Sequence, residues 1–360
     1  MSRILVVVKD PGGTRAVLKV VDKLKQMGEK IIMAADGSAV KLLSDRQIPF
    51  LSFGTGATRV LIEAQPDIIL SSMCSGGGLG RDLIALGKDE GVVTVCLQDF
   101  WGARLRVEFG DEKYWPDYIL VPDEVSKRIV FECWGGYRLE QVIVTGQPVY
   151  DNLANLDIEK IKSETLAKLN IGNDLPLVFF TGQIEETGKT LEYLVDALND
   201  LDRRVYLAPR WHYRISSAPE ELNRCQEALK KFRGRIVDTN LAPYDAKLEF
   251  DPLVAAADIV TGMFATNLVE AAYLQKEVIS IMFPDAGSKE WGRLTGLVQF
   301  PLVELGCCAN AKDIRSLQES LEDALTIGLR LKNVQQQHLK LDGKNAFRAA
   351  DFLRNLTKGV

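Results

Sequence analysis

The sequence predicts an α/β protein made of two Rossmann-like parallel-sheet domains facing each other across a cleft. Three observations predict it. Short β-branched runs alternate with longer segments of helical period; most runs end in Gly, Ser, Asp or Pro; and the alternation restarts after a polar break near mid-chain. At 360 residues the chain is longer than one core usually serves, which favours roughly two domains.

In the first half the strand candidates are ILVVV from Ile4, IIMAA from Ile31, DIILSS from Asp67, VVTVCL from Val92, DYILV from Asp117 and QVIVTG from Gln141. Between the first two, Ala16, Val17, Val20, Val21 and Leu24 fall on one helical face. A polar, helical stretch from Tyr150 then runs into the breaker Gly172-Asn173-Asp174. Alternation resumes with PLVFFTG from Pro176, RRVYLAP from Arg203, RIVD from Arg235, ADIVTG from Ala257 and EVISIMF from Glu277. The chain closes on an amphipathic helix with Ala346, Phe347, Ala350, Leu353 and Leu356 on its apolar side, which could pack on either half or across the cleft. The domains expected are 1–152, a connector 153–175, 176–341 and a closing helix 342–360.

Composition narrows the function. Lys plus Arg number 44 against 49 Asp plus Glu, a formal charge of −5, which argues against a dedicated nucleic-acid binder and leaves small anionic ligands open. Five apolar residues before Lys9 are too few for a signal-peptide core, and no run reaches the length of a membrane span. Six scattered cysteines without Cys-x-x-Cys spacing disfavour a disulfide framework or a zinc site. A cytoplasmic protein is the expectation, with Cys307-Cys308 in a helix-entry turn.

The segment FFTGQIEETGKTLEYLVDAL, from Phe179, is a near-miss for an ATP-binding loop. That loop needs four residues between its first glycine and Gly-Lys-Ser/Thr. Here five separate Gly182 from Gly188, and Glu185 and Glu186 are among them.

Strand ends supply the remaining candidates, because open parallel sheets bind ligands there. Asp10, Gly12, Gly13, Thr14 and Arg15 form a strand-to-helix turn whose N–H groups can meet an anion, although a ligand-free turn explains them too. The dinucleotide fingerprint is broken, with Thr14 and Val17 where glycines belong. Ser71, Ser72 and Gly76 to Gly78 fit a mobile substrate loop or a plain crossover. Asp99 stands beside Phe100 and Trp101, where a carboxylate can act as a base, or else pairs with Arg104 or Arg106. In the second half Arg210 and His212 follow a strand, Arg210 suited to phosphate and His212 to a sugar hydroxyl or phosphate. Thr266 and Glu270 share a helical face, so a helix start could hold a diphosphate while the carboxylate accepts from a ribose; a capping threonine with a solvent-facing glutamate is the plainer account.

In order and spacing, VTGQPVYDNL from Val144, FFTGQIEE from Phe179, ADIVTGMFATNLVEAAYLQKEVISI from Ala257 and DGKNAFRAADFL from Asp342 resemble the GT-B superfamily of nucleotide-sugar enzymes across nearly the whole chain. The resemblance implies an acceptor-side N-terminal domain and a nucleotide-sugar C-terminal domain. It places Gly182, Gln183, Gly262, Phe264 and Thr266 toward the diphosphate, Glu270 on the ribose, Arg210 and His212 toward the donor, and Asp10 to Thr14 toward the acceptor or transferred sugar. The reaction it implies is sugar transfer from a nucleotide-diphosphate sugar, UDP-linked as first choice, to an unknown acceptor; no metal or other cofactor is required in this scheme, because helix N-termini and Arg210 can stabilise the leaving diphosphate. Asp99 is the first candidate for the base and Asp10 the second. Gly13-Thr14-Arg15 is also similar to the Gly-Thr-Arg of non-hydrolysing UDP-GlcNAc 2-epimerases, but Ser71-Ser72-Met73-Cys74 replaces their Gly-Asp-Thr-Thr loop. An epimerase-like enzyme and a non-catalytic nucleotide-sugar binding module are the two alternatives.

Overall fold

A computed structural model describes residues 2–52, 54, 56–73, 77–99, 101, 110–244 and 249–358. The chain divides into two compact units, Met1–Ala154 with Lys340–Val360, and Asn155–Leu339. Each is a Rossmann-like parallel sheet with flanking helices.

The first unit contains β1 (Arg3–Val8), α1 (Pro11–Gln26), β2 (Lys30–Ala35), α2 (Ala39–Asp45), β3 (Leu51–Ser52), α3 (Ala57–Ala64), β4 (Ile68–Ser72), α4 (Leu79–Asp89), β5 (Val93–Leu97), β6 (Tyr118–Val121), α5 (Glu124–Cys133) and β7 (Val142–Val144). Its strands run parallel in the order β3-β2-β1-β4-β5-β6-β7, so the order reverses between β1 and β4. β1 and β4 are buried along almost their whole length, which is why they read as unbroken apolar runs rather than alternating ones. α1 starts on Pro11, whose missing N–H costs nothing in a first turn, and carries Lys23 and Lys25 in its last turn. Ala16, Val17, Val20, Val21 and Leu24 are all buried against the sheet.

The second unit contains α6 (Ile158–Lys168), β8 (Leu177–Thr181), α7 (Thr187–Asp200), β9 (Tyr206–Arg210), α8 (Pro219–Lys231), β10 (Arg235–Ile236), α9 (Pro252–Ala256), β11 (Ile259–Gly262), α10 (Thr266–Tyr273), β12 (Glu277–Ile281), α11 (Ser288–Thr295), α12 (Pro301–Glu304), β13 (Ala309–Ala311), α13 (Ile314–Thr326) and α14 (Lys332–His338). The order β10-β9-β8-β11-β12-β13 repeats the same plan, with its reversal between β8 and β11.

The final helix, α15 (Asn345–Lys358), packs on the first unit. Ala346, Ala349, Ala350 and Leu353 join the same apolar cluster as Val17, Val20 and Leu24 of α1, whereas Phe347, expected on the apolar side, is exposed. Asp151 caps this helix from a distance. Its carboxylate accepts from the N–H groups of Asn345 at 2.9 Å and Ala346 at 2.8 Å, and Arg348 Nε donates to the carbonyl of Thr145 at 2.8 Å. Two of the sequence motifs, VTGQPVYDNL and DGKNAFRAADFL, are thereby the two halves of one lock.

Two edge strands lack any sequence signal. β3 is a two-residue strand and β13 reads Ala-Asn-Ala, so neither has a β-branched run. The adjacent cysteines are corrected accordingly: Cys307 and Cys308 are buried and lead into β13, not into a helix. Among the described residues no helix is long and apolar enough to cross a membrane.

Candidate functional site

In the second unit the strand register places Arg210, Thr181, Gly262 and Ser280 side by side at the C-terminal edge of the sheet. A methyl group added to Gly262 would lie 2.4 Å from the Thr181 carbonyl oxygen, so only glycine allows this approach at the point where the strand order reverses. The loops that leave this edge are braced to one another. Gly182 N donates to the Arg210 carbonyl at 2.8 Å, and Gln183 N donates to Thr187 Oγ1 at 2.7 Å. Gln183 Nε2 donates to the Phe264 carbonyl at 2.6 Å, and Ser280 Oγ to the Met263 carbonyl at 2.5 Å. Gln183 thus ties the loop after β8 to the loop after β11.

That brace sets the start of α10. Its N-cap, Ala265, is extended and offers no side-chain cap, and its first turn carries no acid. The first-turn N–H groups are the positive end of a helix dipole. Thr266 is exposed there, while Glu270, one turn further, is buried with 7% exposure. The spacing foreseen in sequence is present, but the glutamate does not face solvent. Asn267 enters as a residue the sequence did not single out: its Oδ1 accepts from Thr181 Oγ1 at 3.2 Å.

His212 lies just beyond β9, half-buried, with its ring 4.5 Å from that of the exposed Tyr213. Nδ1 accepts from the N–H of Arg214 at 3.2 Å, so the proton of the neutral ring sits on Nε2 and that nitrogen is a donor. Burial, aided by the Arg214 charge, lowers the His212 pKa from its usual 6.5 and keeps the ring neutral.

Two candidates turn inward. Arg210 pairs with the buried Asp251 at 2.5 Å and donates through NH2 to the carbonyls of Thr239 and Ala242, so its fork anchors the loop after β10. The Phe264 ring is buried against Trp291 at 5.1 Å, leaving its carbonyl as the working group. Asp251 was missed in the sequence, where only its place before Pro252 marks it as a helix cap, and its pairing with Arg210 spans 41 residues.

The near-miss ATP loop is filled by its own protein. Gly188 N, in the first turn of α7, donates to Glu221 Oε2 at 2.8 Å; Lys189 Nζ binds Asp285 at 2.5 Å; and Tyr193 OH reaches the same carboxylate at 2.9 Å. Glu186, in the left-handed conformation with φ of 58°, accepts from Gly287 N at 2.6 Å. A phosphate has neither the lysine nor the full helix end there.

In the first unit the turn after β1 meets the ends of β4 and β5. Methyl groups on Gly12 and Gly13 would lie 2.9 and 3.6 Å from Asp99 Oδ2, and one on Gly13 would lie 2.9 Å from Ser72 Oγ. Asp99 therefore sits against the glycine start of α1, where Asp10 holds the N-cap position in extended conformation without a side-chain cap hydrogen bond. The Asp99 backbone carbonyl accepts from Gln147 Nε2 at 2.7 Å. Thr14 is fully buried and its hydroxyl donates back to the Asp10 carbonyl at 2.7 Å, while Arg15 is exposed. Trp101 donates its indole N–H to Asp123, not to Asp99. Gly77 and Gly78 are pinned: Lys9 Nζ donates to the Gly77 carbonyl at 3.0 Å, and Asp36 Oδ2 accepts from Leu79 N at 3.1 Å. Phe100, Arg104, Arg106 and Gly76 lie outside the described residues. Among the described residues no cluster of three or more His, Cys, Asp or Glu side chains could hold a metal ion.

No protein-family model and no curated protein matches this chain. Solved structures do. The UDP-GlcNAc 2-epimerase of Neisseria meningitidis is 14% identical over 99% of each chain, with a TM-score of 0.67. A putative UDP-N-acetylglucosamine 2-epimerase of Listeria monocytogenes is 13% identical over 100% of this chain and 98% of its own, with a TM-score of 0.69. A glycosyltransferase of Rickettsia africae is 14% identical over 99% and 97%, with a TM-score of 0.61. The chain has the GT-B-like two-domain fold, and at these identities the likeness establishes the fold alone.

Proposed function

We propose that the protein is a glycosyltransferase that moves a sugar from a nucleotide-diphosphate sugar, with uridine as the nucleotide, to an acceptor hydroxyl. The observation that carries this reading is the start of α10, an uncapped helix N-terminus at the strand-order reversal, with Thr266 exposed on it and Glu270 one turn in. Such an end suits a diphosphate, because unsatisfied N–H groups and the helix dipole both favour negative charge. The Thr266 and Asn267 N–H groups take the diphosphate, Glu270 accepts from the ribose hydroxyls, and Nε2–H of His212 donates to a phosphate or sugar oxygen. Gly182 and Gln183 keep the loop close enough for backbone contact.

In inverting transfer the acceptor oxygen attacks the anomeric carbon, the bond to the diphosphate oxygen breaks, and the acceptor's proton passes to a carboxylate. Asp99 is the proposed base and Asp10 the second choice, each at a strand end of the first unit beside Gly12 and Gly13. Charge on the leaving diphosphate is met by the α10 dipole, a preorganised form of stabilisation that needs no metal in this scheme. Arg210, committed to Asp251, acts by holding the loop after β10.

Epimerases share this fold, so the second reading is 2-epimerisation of a UDP-sugar. Incubation with a UDP-sugar alone separates them. A transferase leaves the sugar unchanged or slowly releases UDP, whereas an epimerised sugar without acceptor overturns the proposal. With an acceptor identified, Asp99→Asn should abolish transfer. Full activity in both Asp99→Asn and Asp10→Asn would remove the mechanism.

A further inference from the structure

We propose that a cavity at the N-terminal edge of the second unit's sheet is a separate binding site for a small phosphorylated molecule with a flat or apolar body. Its volume is about 440 Å³, and it is lined by the loops that follow α7 and α8 and by Leu175 before β8. That lies within the range of about 300–1,000 Å³ typical of small-molecule sites.

Charge and shape both point to an anion. Arg203, Arg204 and Arg233 line the cavity against a single carboxylate, Asp202, in a chain whose net charge is −5. Guanidinium groups are always charged and match phosphate oxygens with paired donors. The accessible apolar lining comes from the half-buried Leu175, Leu201 and Phe232, which would receive a ring or alkyl portion.

The walls are built without a ligand. Arg203 NH1 donates to the Leu325 carbonyl at 2.9 Å. Asn199 accepts from Arg233 N at 2.8 Å and donates to the Lys231 carbonyl at 2.9 Å, fixing the turn that presents Arg233. A methyl on Gly234 would lie 3.0 Å from the Val205 carbonyl oxygen, so this turn is seated directly on the entry to β9. The backbone that carries Arg233 is thereby fixed, which lowers part of the ordering cost of binding, while the side chains of Arg203, Arg204 and Arg233 stay exposed.

Helix-end neutralisation explains only part of this arrangement. Arg203 answers a carbonyl near the end of α13, and the last turn of α8 already carries Lys230 and Lys231. Arg204 follows α7, whose last turn carries no base, so Arg233 is the arginine that helix-end neutralisation leaves over. The cavity is also remote from α10: it adjoins the start of β9 while Arg210 ends that strand, a separation of roughly 15 Å at about 3.3 Å per residue. Its occupant is therefore a second ligand that acts at a distance from the proposed donor site.

Calorimetric titration of the full chain with phenyl phosphate, inorganic phosphate and phenol, each with saturating UDP present, tests this. Phenyl phosphate should bind one equivalent, more tightly than either fragment, and weaken as salt is raised. Its affinity should fall by about tenfold or more in Arg204→Gln/Arg233→Gln, while UDP binding is unchanged. Arg233→Gln alone, and Leu201→Asp, which adds a carboxylate to the wall, should each weaken it in the same direction. Unchanged affinity in these variants, no binding of phenyl phosphate, or competition with UDP would overturn the site. A failure of UDP itself to bind would count against the proposed function and leave the phenyl phosphate result readable.

Discussion

Replacing Asp151 with alanine removes the cap of the final helix, and the structure fixes what that costs. Its carboxylate receives the Asn345 and Ala346 N–H groups at 2.9 and 2.8 Å, and these residues are 0% and 1% exposed, so water cannot take over. A buried donor left without a partner costs about 1–3 kcal/mol, and loss of an N-cap about 0.5–2 kcal/mol. One term offsets these: burial is the largest influence on Asp151 and raises its pKa from the usual 3.8, so removing the carboxylate also removes a desolvation cost. The expected net loss is about 2–4 kcal/mol for Asp151→Ala and about half that for Asp151→Asn, which keeps one acceptor oxygen. Denaturant unfolding of the full chain measures the loss, and hydrogen exchange at the Asn345 and Ala346 amides locates it. Unchanged protection at both amides in Asp151→Ala, with an unchanged midpoint, would refute the reasoning.

Two further outcomes follow from named contacts. His212 should titrate below 6.5 in the folded chain, read from its ring proton resonances; because the unfolded chain takes up the proton first, its contribution is complete above 6.5 and is lost as pH falls through the folded value, and a midpoint above 6.5 would contradict the burial argument. Lys189→Ala should leave nucleotide affinity unchanged, because the lysine belongs to Asp285 and the start of α7 to Glu221; loss of ATP or UDP binding in that variant would restore the phosphate-loop reading.

Much of the fold was legible because the physics that makes parallel strands is local in pattern. A buried strand must be apolar throughout and a flanking helix must repeat near every fourth residue; eleven of the described strands fall on runs expected from the sequence, although β10 is an exposed two-residue edge. β3 and β13 escaped because short edge strands need little apolar surface, and Phe347 misled because an apolar residue at a helix start can be left in water.

Candidate site residues divide along the same line. Sequence by itself determined the alternation, the restart after Asp174 and the strand ends at which Asp10, Asp99, His212 and Thr266 stand. Tertiary structure decided which of them are spoken for. Nothing local announces that Arg210 meets Asp251, that Gln183 braces the Phe264 carbonyl, or that Asp151 waits for a helix 194 residues later. Pairing is a property of distance in space, and the chain brings these partners together only when strands from different parts of it lie side by side. The glutamates that spoiled the phosphate loop show the rule most plainly: Glu186 accepts from an N–H 101 residues away, in a turn that no reading of its own neighbours contains.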